Sequence, residues 1–327
     1  MQDRARQIAA DVLFPAAIQT DVSGRVPASH LDLLAAEGFY GLAGPQDDAG
    51  TRIDAAAACR VVEILAGGCL ATTFVWLQHH GAVRAASAAG GRLREEWLGP
   101  LCRGSRRCGT ALGGALPGPP LLRAGLTAGG YLLDGISPWV TGWGMVDTLY
   151  TAARDERDNV VTALLPVAPG TTLSAEPIRM VAVNASCTVV LRFDGHFVAA
   201  DRVTAVLPHR EWLARDAMNL RINGSLALGV AGRCCALIGA SPLDGELVTR
   251  RTALDAATPE QMPAARAAAS DLAMRAAAAL VTIQGSRAIL AGQHPQRLAR
   301  EALFLLVFGS RPAIKDHLAG RLTTAAT

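Results

Sequence analysis

The side chains that do covalent or acid–base chemistry are unevenly supplied in this chain of 327 residues: 30 of its 31 basic residues are arginine and one, Lys315, is lysine. Lys315 sits in Ala-Ile-Lys-Asp with no glycine loop before it, which excludes a phosphate loop of the G-x-x-x-x-G-K-[ST] type. A Schiff base would rest on that one residue near the C-terminus. The seven cysteines form no C-x-x-C pair. Cys102 and Cys108 flank Arg103, Arg106 and Arg107, which repel a cation, and Cys234 and Cys235 are adjacent inside a helical pattern. They read as reduced thiols used as small apolar side chains. There is no H-E-x-x-H, no G-x-S-x-G and no carboxylate cluster, so no metal site is expected. His79 and His80 offer imidazoles suited to proton delivery near neutral pH. Adjacent helical residues point about 100° apart, so at most one of them can serve. His196, His209 and His317 read as solvated, and His294 as part of a helix start before Pro295. The stretch 142–147 begins like a dinucleotide fingerprint, but it ends in Asp147 and follows no βαβ unit. The arginines at 103, 106 and 107 read as solvated surface, with a phosphate contact to coenzyme A or a carrier protein as the alternative.

The elements that must position these residues fall into three textures. Residues 1–105 show apolar side chains at helical spacing (Ile8, Val12, Leu13 and Ala16; Leu31, Leu34 and Ala35). Further helices are predicted over 51–66, 70–89 and 92–101, and turn-rich breaks at 21–27 and 41–50. Residues 106–208 replace this with short β-branched runs at 130–136, 148–153, 160–166 and 187–193, the strands of a small sheet or barrel. From 209 to 327 helices return over 212–238, 258–290 and 294–318, with 244–257 a weaker helical or loop connection. The fold class is α+β and mostly α: an N-terminal helical domain, a middle β domain and a C-terminal helical bundle. With 50% hydrophobic but only 5% aromatic residues, the core must be Ala, Leu and Val packed closely, and Ala264 to Leu280 reads as bundle core or subunit interface. A net charge of +3 on scattered arginines gives no field for nucleic acid. No stretch reaches the roughly 18 apolar residues of a membrane span, and the N-terminus shows no secretory signal, so a soluble cytoplasmic protein is expected.

Four strings, in this order, resemble the acyl-CoA dehydrogenase superfamily over nearly the whole chain. They are Leu34 to Pro45; Gly130 to Gly135 followed by Ser137-Pro-Trp-Val-Thr141 and Asp147; Val189 to Asp194 with Val198 to Val203; and Arg297-Leu-Ala-Arg-Glu-Ala302. The resemblance implies a flavin site between the middle sheet and the C-terminal helices, with Trp139 and Thr141 against the flavin ring. An indole suits this as a flat apolar wall, and a threonine hydroxyl as a donor where charge gathers on reduction. It further implies FAD, with FMN as the alternative, an acyl-CoA or carrier-bound acyl substrate, and a homodimer or homotetramer. Members of the family also carry a histidine late in the fourth helix facing the substrate cavity, which points to His79 or His80.

The departures are as informative as the matches. The family's chemistry needs a carboxylate to take the α-proton. One of its two positions falls here on Phe308 or Gly309 and the other on Asn219-Leu220, so neither holds an acid. Glu301 corresponds to a structural partner in the family and not to a base. The loop at 111–120, acidic in dehydrogenases, has neither acid nor hydroxyl, and the glycine-rich turn is reduced to Gln284-Gly285-Ser286-Arg287. Contacts to the dinucleotide would then fall to Arg221, Arg287 or Arg311. Three functions follow from the resemblance: an acyl-CoA dehydrogenase-like flavoprotein that carries out α,β-oxidation of an acyl thioester with a non-standard or missing base, a reduced-flavin monooxygenase of the same fold served by a flavin reductase, or a silent homologue that binds an acyl ligand or a partner.

Overall fold

The N-terminal periodicity yields six α-helices among the described residues: α1 (Gln2–Ile8), α2 (Phe14–Ser23), α3 (Ala28–Ala36), α4 (Ala55–Gly68), α5 (Leu70–Ala89) and α6 (Gly91–Cys102). The computed structural model describes residues 1–45, 50–51, 53–309 and 311–323, with backbone alone at 216 and 217. Residues 46–49 of the break at 41–50, and residue 310 in the stretch compared with the family's base, lie outside the described residues. Asp54 caps α4 by accepting from the Ala57 amide at 2.6 Å. Cys69, in extended conformation, then separates α4 from α5.

Eight strands follow: β1 (Cys108–Ala111), β2 (Leu122–Thr127), β3 (Gly130–Val140), β4 (Thr148–Arg154), β5 (Asn159–Pro166), β6 (Leu173–Pro177), β7 (Val189–Ala199) and β8 (Val203–Pro208). They form one sheet in the order β6-β7-β3-β2-β4-β5-β8, with β1 parallel to β4. The four β-branched runs become β3, β4, β5 and β7. The shorter strands β1, β2, β6 and β8 had no run long enough to announce them. β4 and β5 are buried along nearly their whole length. One face packs Leu149, Ala153, Val161 and Leu165 into the sheet's own core. The other lays Leu164 against Ala82, Val83, Leu93 and Trp97 of α5 and α6.

The C-terminal region holds α7 (His209–Ala214), α8 (Asp216–Ile238), α9 (Pro242–Ala256), α10 (Met262–Gln284), α11 (His294–Val307) and α12 (Pro312–Thr323). Each long expected helix is subdivided. A turn at Arg215 separates α7 from α8, Gly285 (φ +67°) ends α10, and Gly309 (φ +60°) with Pro312 separates α11 from α12. The connection at 244–257 is a full helix, because Pro242 opens it and the Asp244 carboxylate accepts from the Ser241 amide at 2.9 Å. His209, expected in solvent, is instead buried with Nε2 3.2 Å from the Ala115 carbonyl, since β8 returns the chain against that loop.

Alanine and glycine set how closely these helices approach. Ala267, Ala269, Ala273, Ala276 and Ala277 of α10 are buried in the same core as Leu226, Ala227 and Val230 of α8. At Gly229 of α8, a Cβ would lie 2.3 Å from the Glu63 carbonyl oxygen and 2.7 Å from Ala66 Cβ of α4. Alanine there gains about 1 kcal/mol of helix propensity, but the clash is with backbone, which no rotamer change relieves. Gly229→Ala is therefore expected to destabilise the protein by about 2 kcal/mol net. A urea-unfolding midpoint equal to that of the parent protein would contradict this close approach.

Candidate functional site

The site begins with an irregular strand. β3 pairs with β7 through two register shifts, one between Leu133 and Gly135 and one between Ser137 and Val140. The second contains Trp139, whose φ of +62° lies in the left-handed region and whose surface is 62% exposed. A bulky aromatic residue is costly in that conformation, and a bulge re-aims the side chain it contains. The strain holds a flat indole outward, where the chain gains no core packing from it. Two residues on, Thr141 is buried, its Oγ1 3.3 Å from Thr188 Oγ1, which lies 2.8 Å from Ser186 Oγ. This file of three hydroxyls ties the end of β3 to the start of β7. On the other side, Ser137 Oγ accepts from the Gly113 amide at 3.1 Å.

The loop after β1, which carries no acid, is held from below by Arg154. Its buried guanidinium donates to the carbonyls of Gly114, Leu116 and Gly118 at 3.0, 2.8 and 3.0 Å. Nothing in the sequence singled Arg154 out, because its role depends on three carbonyls of a distant loop. Arg266 was missed in the same way. Burial pushes this α10 guanidinium down to about 10, and it donates to the Leu305 and Phe308 carbonyls at the end of α11. Ser270 Oγ donates to Leu305 as well, at 2.7 Å.

Of the two positions at which a carboxylate was sought, Asn219-Leu220 lies on α8 and Phe308-Gly309 in the turn after α11. Phe308 follows α11 and packs with Phe304 (ring centroids 5.2 Å apart) and Phe74 of α5 (4.8 Å). At Gly309, a Cβ would come within 2.8 Å of Asn223 Nδ2 on α8. Glu301 is buried two turns earlier on α11, 2.5 Å from Arg297 Nη1.

The histidines are placed in different circumstances. His79 is buried in α5, its Nε2 3.0 Å from the Leu101 carbonyl, while Nδ1 accepts from the Cys108 amide at 3.2 Å. Both nitrogens are engaged in joining α5 to α6 and β1, and burial depresses its pKa to about 3. His80 is also buried, stands edge-on to Trp76 at 4.6 Å, and neither ring nitrogen has a partner. Burial, then neighbouring His79, holds it well below the ordinary histidine range.

The arginines do not gather at Trp139. Arg221 is buried, donating from Nε to Asp255 at 2.9 Å and from Nη1 to Ser225 at 2.8 Å. With Arg60, Glu63, Arg251 and Asp255 it lines a cleft of about 300 Å³ formed by helices. Arg287 is exposed on the turn after α10. Arg311 Nη1 reaches the Gly309 carbonyl at 3.4 Å. Near the first strand, Arg106 lies over Trp97 at 4.3 Å and Arg107 pairs with Asp32 at 2.6 Å. Among the described residues no three His, Cys, Asp or Glu side chains are placed to hold a metal ion, and no helix is long and apolar enough to cross a membrane.

Comparison with known proteins bears on this arrangement. Residues 1–105 match the acyl-CoA dehydrogenase N-terminal domain. The chain is 26% identical over 249 residues to benzylmalonyl-CoA dehydrogenase of Aromatoleum aromaticum, a match spanning 71% of this chain and 64% of that protein. It thus covers less than two thirds of that relative's length. The glutaryl-coenzyme A dehydrogenase–glutaryl-CoA complex superposes with a TM-score of 0.85 at 16% identity, over 97% of this chain and 93% of that one. Over its first 105 residues the chain carries the acyl-CoA dehydrogenase N-terminal domain, and as a whole it is similar to members of that superfamily. A glutaryl-CoA dehydrogenase from Mycobacterium smegmatis in complex with FADH2 matches with a TM-score of 0.82 at 17% identity, over 100% and 94% of the two chains. At these identities the solved structures establish the fold, which is that of an acyl-CoA dehydrogenase from the first helix to the last.

Proposed function

We propose that this chain is a flavin-dependent oxidoreductase that binds FAD and oxidises an acyl thioester, the α-proton leaving by a route other than the usual carboxylate. The observation that carries the reading is Trp139: a strained, outward-facing indole on a bulged strand end has a cost that a bound aromatic ring would offset. Bound flavin supplies two-electron redox chemistry. The indole gives it an apolar wall, and Thr141, anchored through Thr188 and Ser186, stiffens the strand end that presents that wall. The Arg154-held loop borders Ser137 of the same strand. Arg287, exposed on its turn, is the cation assigned to phosphate groups together with Arg221 and Arg311, in this subunit or across a homodimer or homotetramer. FMN is the alternative cofactor, and a carrier-bound acyl group the alternative to acyl-CoA.

A specific observation favours a second reading. Glycine at 309 and leucine at 220 leave the usual base positions without an acid, and a reduced-flavin monooxygenase served by a separate reductase needs none there. One experiment tests both. The purified protein is loaded with FAD, its visible spectrum recorded, and butyryl-CoA, with other acyl-CoAs in parallel, added without oxygen. Bleaching of the flavin band is expected from the first reading. Oxygenation only after reduced flavin is supplied supports the second, and failure to bind either flavin would overturn both. Trp139→Ala is expected to weaken FAD binding about tenfold by loss of the stacking face. Unchanged affinity on titration would remove Trp139 from the site.

A further inference from the structure

The charges that line the cleft of about 300 Å³ between α4, α8 and α9 are sorted by sign. Among the described residues they are three guanidinium groups, of Arg60, Arg221 and Arg251, and three carboxylates, of Asp54, Glu63 and Asp255. Glu63 is buried and receives Arg251 in a forked pair, Nε to Oε2 at 3.0 Å and Nη2 to Oε1 at 2.7 Å, as well as Arg60 Nη1. Two cations on one carboxylate leave this end of the cleft positive. Asp255, one turn further along α9, is held by Arg221 of α8 and lies close enough to act on Cys59, one turn back along α4 from Glu63. The two helices therefore run in opposite directions across the cleft. Asp54, the N-cap of α4, joins Asp255 at the far end, where two carboxylates meet one guanidinium and the balance is negative.

The unused hydrogen-bonding atoms follow the same sorting. Arg60 Nε and Nη2 and Arg251 Nη1 donate to no described residue, and Asp54 Oδ2 and Asp255 Oδ2 accept from none. The side chains of Arg60, Arg251 and Asp255 are 33%, 22% and 41% exposed, so a solute can meet them. A simple anion is attracted by one end and repelled by the other, and a simple cation the reverse. We propose that this cleft binds a small zwitterion, its carboxylate taken by Arg60 and Arg251 and its ammonium by Asp54 and Asp255. Guanidinium groups present the forked donors that suit a carboxylate, and carboxylate oxygens accept from an ammonium. About 6 Å of helix axis separates Arg251 from Asp255, so the ligand carries its two charges several bonds apart, as an ω-amino acid does. Arg221 acts in the site by holding Asp255, and nothing in it requires flavin or an acyl group.

The test titrates the purified full chain with 4-aminobutyrate by calorimetry at neutral pH and low salt. A dissociation constant of about 1 mM or tighter is expected, with butyrate and butylammonium, which carry one charge each, at least about tenfold weaker. Arg60→Gln is expected to weaken 4-aminobutyrate about tenfold, while Glu63 keeps its forked pair with Arg251. Asp54→Asn retains a residue that caps α4. It is expected to weaken 4-aminobutyrate about tenfold and to leave butyrate equal or tighter. A merely structural aspartate would not separate the two ligands in that way. Cooperative melting of both variants at the parent temperature confirms that they fold. The proposal is overturned if the parent does not bind 4-aminobutyrate, if butyrate binds as tightly, or if both variants stay within twofold of the parent. Tighter binding of inorganic phosphate than of 4-aminobutyrate would make the cleft a plain anion site and overturn it as well.

Discussion

Arg297→Met is expected to lower the free energy of unfolding by about 3–5 kcal/mol and the melting temperature by roughly 4–7 °C. Arg297 and Glu301 are 1% and 4% exposed, one helical turn apart on α11, with Nη1 and Oε1 2.5 Å apart. Burial pushes the Glu301 carboxyl upward, against the pull of Arg297 and, more weakly, of Arg300. The remaining atoms are poorly served, since Glu301 Oε2 and Arg297 Nε have no partner. Removing the guanidinium would strand a carboxylate among Cys69, Cys234 and the apolar helix faces. Replacing both partners, in Arg297→Met/Glu301→Leu, should recover most of the loss, because no buried charge is left unpaired. Equal melting temperatures for the single and double variants would show that the pair does not hold α11 in place. Phe14 underlies the same region: it stacks on His294 at 4.0 Å and lies under Arg233 at 4.1 Å. Arg297 itself lies over the Phe14 ring at 6.0 Å, so it also faces α2 from α11.

Acidification is expected to cost about 2.7 kcal/mol of stability for each pH unit below about 6.5, from His79 and His80 together. Both rings are neutral in the folded protein, with His79 depressed to about 3 and His80 well below 6.5, chiefly by burial. In the unfolded chain each regains the ordinary histidine pKa. Below pH 6.5 the unfolded state therefore binds protons that the folded state does not, and each site contributes about 1.36 kcal/mol per unit. Stability from these groups is complete above pH 6.5, falls as the pH drops, and for His79 levels off near its folded pKa of about 3. His294, depressed to about 4, and His30 shift in the same direction and steepen the fall. The check is the urea midpoint followed from pH 7.5 to 5. His80→Leu should remove about half of the slope due to the pair and leave the protein at least as stable at pH 7.5, since both His80 nitrogens are unpartnered. A slope unchanged in His80→Leu would mean that His80 is protonated in the folded state.

The parts of the molecule that were legible in the sequence are those encoded locally. Helical apolar spacing announced α4, α5 and α10, and β-branched runs announced β3, β4, β5 and β7. The helix–sheet–helix order and the four strings at 34–45, 130–147, 189–203 and 297–302, taken together, were what carried the resemblance to the superfamily. Helix ends were less legible. Gly309 and Pro312 divide one periodic run into α11 and α12, and Pro242 with the Asp244 cap on the Ser241 amide turns an apparent connection into α9, although those residues were there to be read. Of the candidate site residues, Trp139 and Thr141 are neighbours at one strand end, whereas Arg221 and Arg287 lie elsewhere, on a helical cleft and an exposed turn. Residue type alone cannot say where an arginine's long side chain finds its partner.

By itself, the amino-acid sequence settled the absences and the order of elements. One lysine, scattered arginines and no acid at 308–309 or 219–220 follow from composition and position, as does a core built on alanine. Tertiary structure decided which polar groups meet. The left-handed backbone of Trp139 depends on a bulge formed with β7, some fifty residues away. His79 is occupied because Leu101 and Cys108 close on it from two other elements, and Asn223 reaches Gly309 only because α8 and α11 pack side by side. Hydrogen bonds and steric contacts act over a few ångströms, so their partners exist only once the chain has folded. Hydrophobic periodicity repeats along the chain and can be read before it folds.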